Sequence, residues 1–143
     1  MPVIRKITMD DAPAVCEIAY QEMGYESNLE LVQTKIQRLD SEREAVFVAE
    51  EESQVIGFVH VERYEVLYFE SMANILGLAV RKNFQKNGLG KKLLLEAEKW
   101  AMENGIYLMR LNSGVSRKNA HGFYEHMGYT SEKKQKRFLK RLK

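Results

Sequence analysis

The chain has 143 residues, 45% of them apolar and 29% charged, with a formal net charge of +2. Those proportions describe an ordinary globular chain with one core, so a single domain over residues 1–143 is expected and collagen-like or disordered classes are excluded. Arg5, Lys6, Asp10 and Asp11 crowd the start and no apolar run is long enough for a signal core or a span, so a cytoplasmic protein without a membrane partner is expected; the lone Cys16 excludes an internal disulfide framework or thiolate metal cluster.

In chain order, Val3, Ile4 and Ile7 predict a short strand. Thr8 or Asp10 can cap the helix that follows, with Pro13 in the first turn favouring Asp10; it runs to about Glu22, carries Cys16 as an expected buried residue, and stops at Gly24. Ser27 or Asn28 opens a second helix with Leu29, Val32, Ile36 and Leu39 at helical spacing. Ala45 to Glu50 and Gln54 to Tyr64 read as a hairpin of two strands joined through Glu51-Glu52-Ser53. After an irregular aromatic and acidic stretch from Tyr64 to Met72, Ala73 to Val80 is apolar almost throughout, as for a strand covered on both faces. Gly77 inside it predicts a bulge or a close backbone approach.

Leu89, Leu93, Ala97, Trp100 and Ala101 then recur on one side of an amphipathic helix that Asn104-Gly105 closes. Ile106 to Leu111 predicts a strand, Arg117 to Met127 a helix stopped by Gly128, and the residues from Tyr129 one or two final strands anchored by Phe138 and Leu142. The order β-α-α-β-β-β-α-β-α-β, with or without a last strand, is a mixed sheet of the α/β (α+β) class.

The small net charge conceals a division. Residues 1–72 carry 6 Lys+Arg against 15 Asp+Glu, a balance of −9, whereas residues 73–143 carry 16 against 5, a balance of +11. An enzyme joining a polyanionic ligand to a cationic amine would have each half steer one of them.

Between the apolar strand and the amphipathic helix lies Val80-Arg81-Lys82-Asn83-Phe84-Gln85-Lys86-Asn87-Gly88-Leu89-Gly90-Lys91-Lys92. A helix start presents amide N–H groups without intrahelical acceptors, together with the positive end of the macrodipole, so a basic glycine-bearing loop there describes an anion cradle. A nucleotide-triphosphate loop is excluded because Lys92 stands where Ser or Thr is required, and a dinucleotide fingerprint because Leu93 stands where the third glycine belongs.

The remaining pattern, Gln85-x-x-Gly88-x-Gly90, resembles the acyl-CoA pyrophosphate loop of the GNAT N-acetyltransferase superfamily, whose element order coincides with this one over essentially the whole chain. The resemblance implies a mixed, mostly antiparallel central sheet with helices on both faces and splayed central strands, and acetyl-CoA as cosubstrate. It implies that main-chain groups near Leu78 and Val80 pair with the pantetheine arm, and that Gln85, Lys86, Asn87, Gly88, Leu89, Gly90 and Lys91, helped by Arg81, hold the diphosphate. In Arg117-Lys118-Asn119-Ala120-His121-Gly122-Phe123-Tyr124 it implies a pantetheine contact at Asn119 and places Tyr124 beside the cofactor sulfur. With Ser113, Gly128-Tyr129 and Phe138-x-Lys140-x-Leu142, these residues resemble bacterial members acting on small amines.

The expected activity is therefore transfer of an acetyl group to a primary amine by direct attack in a ternary complex. A thiolate leaving group is more basic than water, so Tyr124 is the candidate acid, and an alkylammonium must lose a proton, for which Glu70 ranks ahead of Glu62, Glu65 and His60. Cys16 lies among Glu17 and Glu22, which disfavours a covalent thiolate route. His60, His121 and His126 lack the three- or four-residue helical spacing of metal ligands, so no metal is expected. Residues 20–40 and 62–72 are expected to line a site for a small-molecule or peptide amine, and a second copy of the chain is a candidate partner. Two other classes stand as alternatives. One is a catalytically silent acyl-CoA sensor. The other is a nucleic-acid-binding module built on the seven cations of residues 133–143, which the acidity of the first half and the lack of a nucleic-acid motif oppose, so no nucleic-acid partner is expected.

Overall fold

A computed structural model describes residues 2–114 and 117–143. They group into two compact units, one ending at Leu111 and one running from Asn112 to Lys143.

The first unit is built on a five-stranded sheet in the order β1-β2-β3-β4-β5. Its strands are β1 (Val3–Lys6), β2 (Glu44–Glu51), β3 (Gln54–Tyr64), β4 (Met72–Val80) and β5 (Met109–Leu111). The first four pair antiparallel and β5 joins β4 in parallel. The predicted hairpin is present: β2 and β3 are joined by Glu52 and Ser53 at φ 51° and 66°, the two positive values that a turn matching strand twist requires.

Three helices belong to this unit, namely α1 (Ala12–Met23), α2 (Leu29–Gln37) and α3 (Leu89–Glu103). Alternation along β3 sends successive side chains to opposite faces. Phe58 clusters with Ile18 of α1, Val46, Val48 and Ala79, with Met23 and Leu39 packed alongside. Gly57, the neighbouring residue, faces Leu93 of α3. Helices therefore cover both faces, as expected, and the fully buried Val59, Val61, Leu93, Leu94 and Ala97 form the α3 side of the core.

Caps left open by the pattern are settled by side chains. The Thr8 N–H donates to Asp11 Oδ2 at 2.7 Å, so Thr8 and Asp11, not Asp10, shape the entry to α1 through a short 3-10 turn. The Asp11 carboxylate also receives two bonds from Arg5, at 2.8 and 2.9 Å, which tie α1 to the edge strand. For α2, Asn28 Oδ1 accepts the Leu31 N–H at 2.8 Å. Cys16 is half-buried rather than buried, its Sγ 3.5 Å from Ser27 Oγ.

Two expected strands differ. Ile106 to Leu111 is strand only from Met109. Gly105 is at φ 74° and the Ile106 N–H returns to the Ala101 carbonyl, so these residues finish the exit of α3 before the chain extends. The second unit contains α4 (Lys118–His126), shorter than the predicted Arg117 to Met127, and among its described residues no strand follows it. Phe138 and Leu142, expected as strand anchors, are 86% and 90% exposed. Seven cations among eleven residues leave too little apolar surface there to offset the entropy of ordering an extended segment.

Candidate active site

β4 carries an irregularity where the composition predicted one. His60 pairs with Gly77 but Val61 pairs with Ile75, which leaves Leu76 as the extra residue of a bulge. A bulge bends its strand and increases local twist. Here it coincides with the end of pairing on the other edge, because the parallel ladder to β5 covers only Ala73, Asn74 and Ile75. β4 then runs five residues further, to Val80, without β5 beside it.

The direction of the main chain along that stretch follows from one bond. The Arg81 N–H donates to Ile56 O on β3 at 2.8 Å. Main-chain groups alternate sides along an extended strand, so those of Ala79 face β3 and those of Leu78 and Val80 face away from it, toward the edge that β5 has left. The stretch carries a row of backbone donors and acceptors of the kind an extended ligand could pair with.

β4 leads directly into the glycine-bearing loop. Lys82 to Asn87 form a 3-10 turn, Gly88 takes φ 71°, and α3 begins at Leu89 without a side-chain cap. The first hydrogen bond of the helix runs from the Lys92 N–H to the Gly88 carbonyl, so the amides of Leu89, Gly90 and Lys91 precede the intrahelical ladder. Leu89, only 1% exposed, roots the helix start in the core, while a Cβ on Gly88 would find nothing within 4 Å. Lys82, Lys86, Asn87, Lys91 and Lys92 are exposed around it. The residues thus fit a diphosphate: unpaired amides at a fifteen-residue helix, positive charge, and bare backbone at the mouth.

Not every expected group is free for that role. Arg81 is committed elsewhere, its Nε donating to Val55 O at 3.0 Å and its Nη1 paired with Glu17. Gln85 turns its amide inward, donating to Val80 O at 2.9 Å and to Glu22 Oε1 at 3.3 Å. Glu17 and Glu22, absent from the sequence-based site, enter because α1 lies over this part of β4.

The carboxylates ranked as bases fall in different settings. Glu70 is exposed, two residues before β4. Glu62 accepts from Asn74 Nδ2 at 2.9 Å and lies 3.6 Å from Arg43, while the buried Asn74 accepts from Arg110 at 2.8 Å. Glu65 receives Ser71 Oγ and Arg63, whose bonds hold its carboxyl below the usual range. His60 Nε2 is 2.8 Å from Glu44 Oε1. Burial pushes the Glu44 carboxyl up, but His60, the Asp40 amide and Arg43 together bring it below its ordinary value.

In the second unit, α4 presents Asn119 in its exposed first turn and Tyr124 a turn further on. The Tyr124 ring meets Phe123 and Tyr129 edge-on, with centroids 5.2 and 6.0 Å apart. Burial raises its phenol above the ordinary value of 10.0, against a smaller opposing pull from Arg117, so the hydroxyl keeps its proton at neutral pH. His121 Nε2 lies 2.8 Å from Gly114 O.

A sheet edge released at a bulge and delivered into an uncapped basic helix start suits an extended ligand that ends in an anion. The sequence profile of the acetyltransferase (GNAT) family matches residues 9–129, and the chain belongs to that family. It is an acetyltransferase. A protein of Chlorobaculum tepidum named as an uncharacterized N-acetyltransferase is 28% identical over 135 residues, which are 92% of this chain and 77% of that protein. Among solved structures, glucosamine-6-phosphate N-acetyltransferase from Arabidopsis thaliana superposes with a TM-score of 0.84 at 20% identity, over 97% of this chain and 98% of the other. AAC(6')-Iy, solved with a bisubstrate analogue made of CoA and acetylneamine, superposes with a TM-score of 0.83 at 17% identity over 99% of each chain. At those identities the structural likeness concerns the fold.

Proposed function

We propose that this acetyltransferase moves an acetyl group from acetyl-CoA to a primary amine on a small molecule, within a ternary complex, and that residues 1–143 act as one domain. The observation that carries the reading is the β4 edge past Ile75, which runs without β5 into the uncapped start of α3. A single family profile over residues 9–129, which crosses the boundary at Leu111, supports the one-domain reading. Structural neighbours named for aminoglycosides and for a sugar amine support a small amine as acceptor.

Acetyl-CoA, when bound, supplies an activated acetyl thioester. The chain supplies the rest. Main-chain groups of Leu78 and Val80 hold the extended arm, and the amides of Leu89 to Lys91, with Lys86, Asn87, Gly88 and Lys91 around them, hold the diphosphate. Asn119 contacts the arm from α4. Glu70 takes the proton that the acceptor ammonium must lose before attack and passes it to solvent, Tyr124 gives one to the sulfur as it departs, and the second proton that the nitrogen sheds in becoming an amide restores the Tyr124 hydroxyl. Glu62 is a second reading for the base, favoured by its fixed position beside Asn74 on the strand pair that carries the bulge. The net charge of −9 on residues 1–72 suits a cationic acceptor. No helix among the described residues is long and apolar enough to cross a membrane.

Thiol release from acetyl-CoA across a panel of primary amines tests the activity, with thermal shift read in parallel. Cofactor at a hundredfold its dissociation constant should add about 2.7 kcal/mol to the folded state. Release with one or more amines is the expected result. Thermal stabilisation without release from any amine points to a sensor, and neither signal removes both.

A further inference from the structure

We infer that Glu22 of α1 is a positioning residue for the diphosphate loop, with Glu17 as its partner, so that the acidic half of the chain sets the shape of the basic half's anion site. The proposal rests on the reading of the loop given above. Its warrant is a set of bonds spanning sixty residues and more of sequence. Glu22 Oε2 accepts the Lys82 main-chain N–H at 3.1 Å, and Glu22 Oε1 accepts Gln85 Nε2 at 3.3 Å. Gln85 Nε2 also donates to Val80 O at 2.9 Å. One carboxylate thereby closes the 3-10 turn against the strand it leaves, at both ends of the Lys82 to Gln85 arc.

Glu17, lying one helical turn and a residue earlier on α1, pairs with the Arg81 guanidinium. Arg81 in turn donates Nε to Val55 O and its own N–H to Ile56 O. Arg81 is the last residue before the turn, and this ties its side chain to both α1 and β3. The two carboxylates hold opposite ends of one short segment, and the segment ends three residues before Gly88.

Charge makes the arrangement informative. A carboxylate close to a diphosphate site repels the ligand, so in a surface free to vary it would be a liability. Its bonds to a main-chain amide and a loop side-chain amide give it a geometric role instead: a loop held in one conformation loses less ordering entropy when the anion arrives. Positioning and repulsion predict different responses to two substitutions. Glu22→Ala removes the acceptor and the charge together. Glu22→Gln keeps an oxygen for the Lys82 N–H and removes the charge, giving up only the longer contact from Gln85 Nε2, which an amide nitrogen cannot accept.

The test measures CoA affinity by calorimetry, kcat and KM for acetyl-CoA, and kcat/KM for S-acetylpantetheine, which lacks the nucleotide diphosphate. The enzymes compared are wild type, Glu22→Ala, Glu22→Gln, Glu17→Ala and, as a control on the loop itself, Gly88→Val. Glu22→Ala is expected to raise the CoA dissociation constant and the KM for acetyl-CoA about tenfold, the scale of a lost hydrogen bond to a charged group. Its kcat should stay within twofold and its kcat/KM for S-acetylpantetheine should not change. Glu22→Gln should bind as well as wild type or more tightly, and Glu17→Ala should weaken binding in the direction of Glu22→Ala.

An unchanged CoA dissociation constant in Glu22→Ala overturns the proposal, and so does an equal loss on acetyl-CoA and S-acetylpantetheine, which would mark a general structural defect. Should Glu22→Ala fold poorly, Glu22→Gln decides by itself: weaker binding than wild type contradicts positioning by the oxygen that accepts the Lys82 N–H. If Gly88→Val binds CoA as wild type does, the diphosphate reading of the loop is what fails; if Gly88→Val loses binding and Glu22→Ala does not, only the positioning role is lost.

Discussion

Gly57 offers a test of how tightly β4 is seated, because its strand neighbour leaves no room for a side chain. A Cβ there would lie 2.9 Å from the Ala79 carbonyl oxygen and 3.2 Å from both Leu93 Cδ1 and Val80 Cγ2. The oxygen belongs to the β3–β4 ladder, where Phe58 is opposite Ala79, so it cannot rotate aside as a side-chain tip could. Gly77, the glycine on β4 itself, differs: a Cβ would meet Met23 Cε and Phe58 Cε2 at 3.6 Å, an ordinary contact. Replacing glycine by alanine inside a strand gains about 0.5–1 kcal/mol of conformational entropy at either site, so the two variants share that term and their difference isolates the clash. Overpacking of this kind costs about 1–3 kcal/mol. At this chain length that separates the melting temperatures by about 4–12 °C, with Gly57→Ala the lower. Thermal and urea unfolding of the two variants beside wild type measure it, and Gly57→Ala should also raise the KM for acetyl-CoA because the strained residues belong to the strand that borders the loop. Equal melting temperatures, or a more stable Gly57→Ala, would refute the close seating of β4 on β3 and α3.

Three further outcomes are expected. Tyr124→Phe should lower kcat by about a hundredfold or more while CoA affinity stays within twofold, read from steady-state kinetics and calorimetry; because burial raises the phenol above its ordinary value, the wild type should show no basic limb from Tyr124 below pH 10.0. Gly88→Val should cost about 1–2 kcal/mol of stability from its left-handed backbone alone, yet abolish the thermal stabilisation by acetyl-CoA, because the new side chain occupies the mouth of the cradle. Asp11→Asn should flatten the acid side of the stability profile. The Arg5 guanidinium beside Asp11 holds its carboxyl below the ordinary value, against burial and with help from the Thr8 N–H, so its stabilisation is complete above about pH 3.9, the unfolded value, and is lost as pH falls through the lower folded one. Urea midpoints between pH 6 and 2 measure it, and a profile as steep in the variant as in wild type would exclude Asp11 as a source.

Local chemistry made much of this fold legible in advance. Caps, Pro13 and Gly24 located α1, helical spacing located α2 and α3, a Gly128 stop bounded α4, Val, Ile and Phe content located β2 and β3, and a glycine loop after an apolar run marked the junction where β4 passes into the uncapped start of α3. The same reasoning overextended at Phe138 and Leu142, where two apolar residues among many cations suggested strand anchors that the structure leaves exposed. It also assigned Arg81 to the phosphate, whereas Glu17 and Val55 hold it. Period and propensity report on neighbours in sequence. They say nothing about which distant carboxylate a cation will meet.

What residue order determined by itself was the menu of elements and the chemistry of the loop, because amphipathic period, glycine freedom and helix-start amides are properties of a few consecutive residues. Tertiary structure decided that the pairing of β4 with β5 stops at Ile75, which of two strand glycines is sterically required, and that Glu17 and Glu22 grip the loop. Each of those depends on surfaces brought together from segments distant in sequence, up to 64 residues apart for Glu17 and Arg81, and such meetings are set by the packing of the whole unit around β3 and β4.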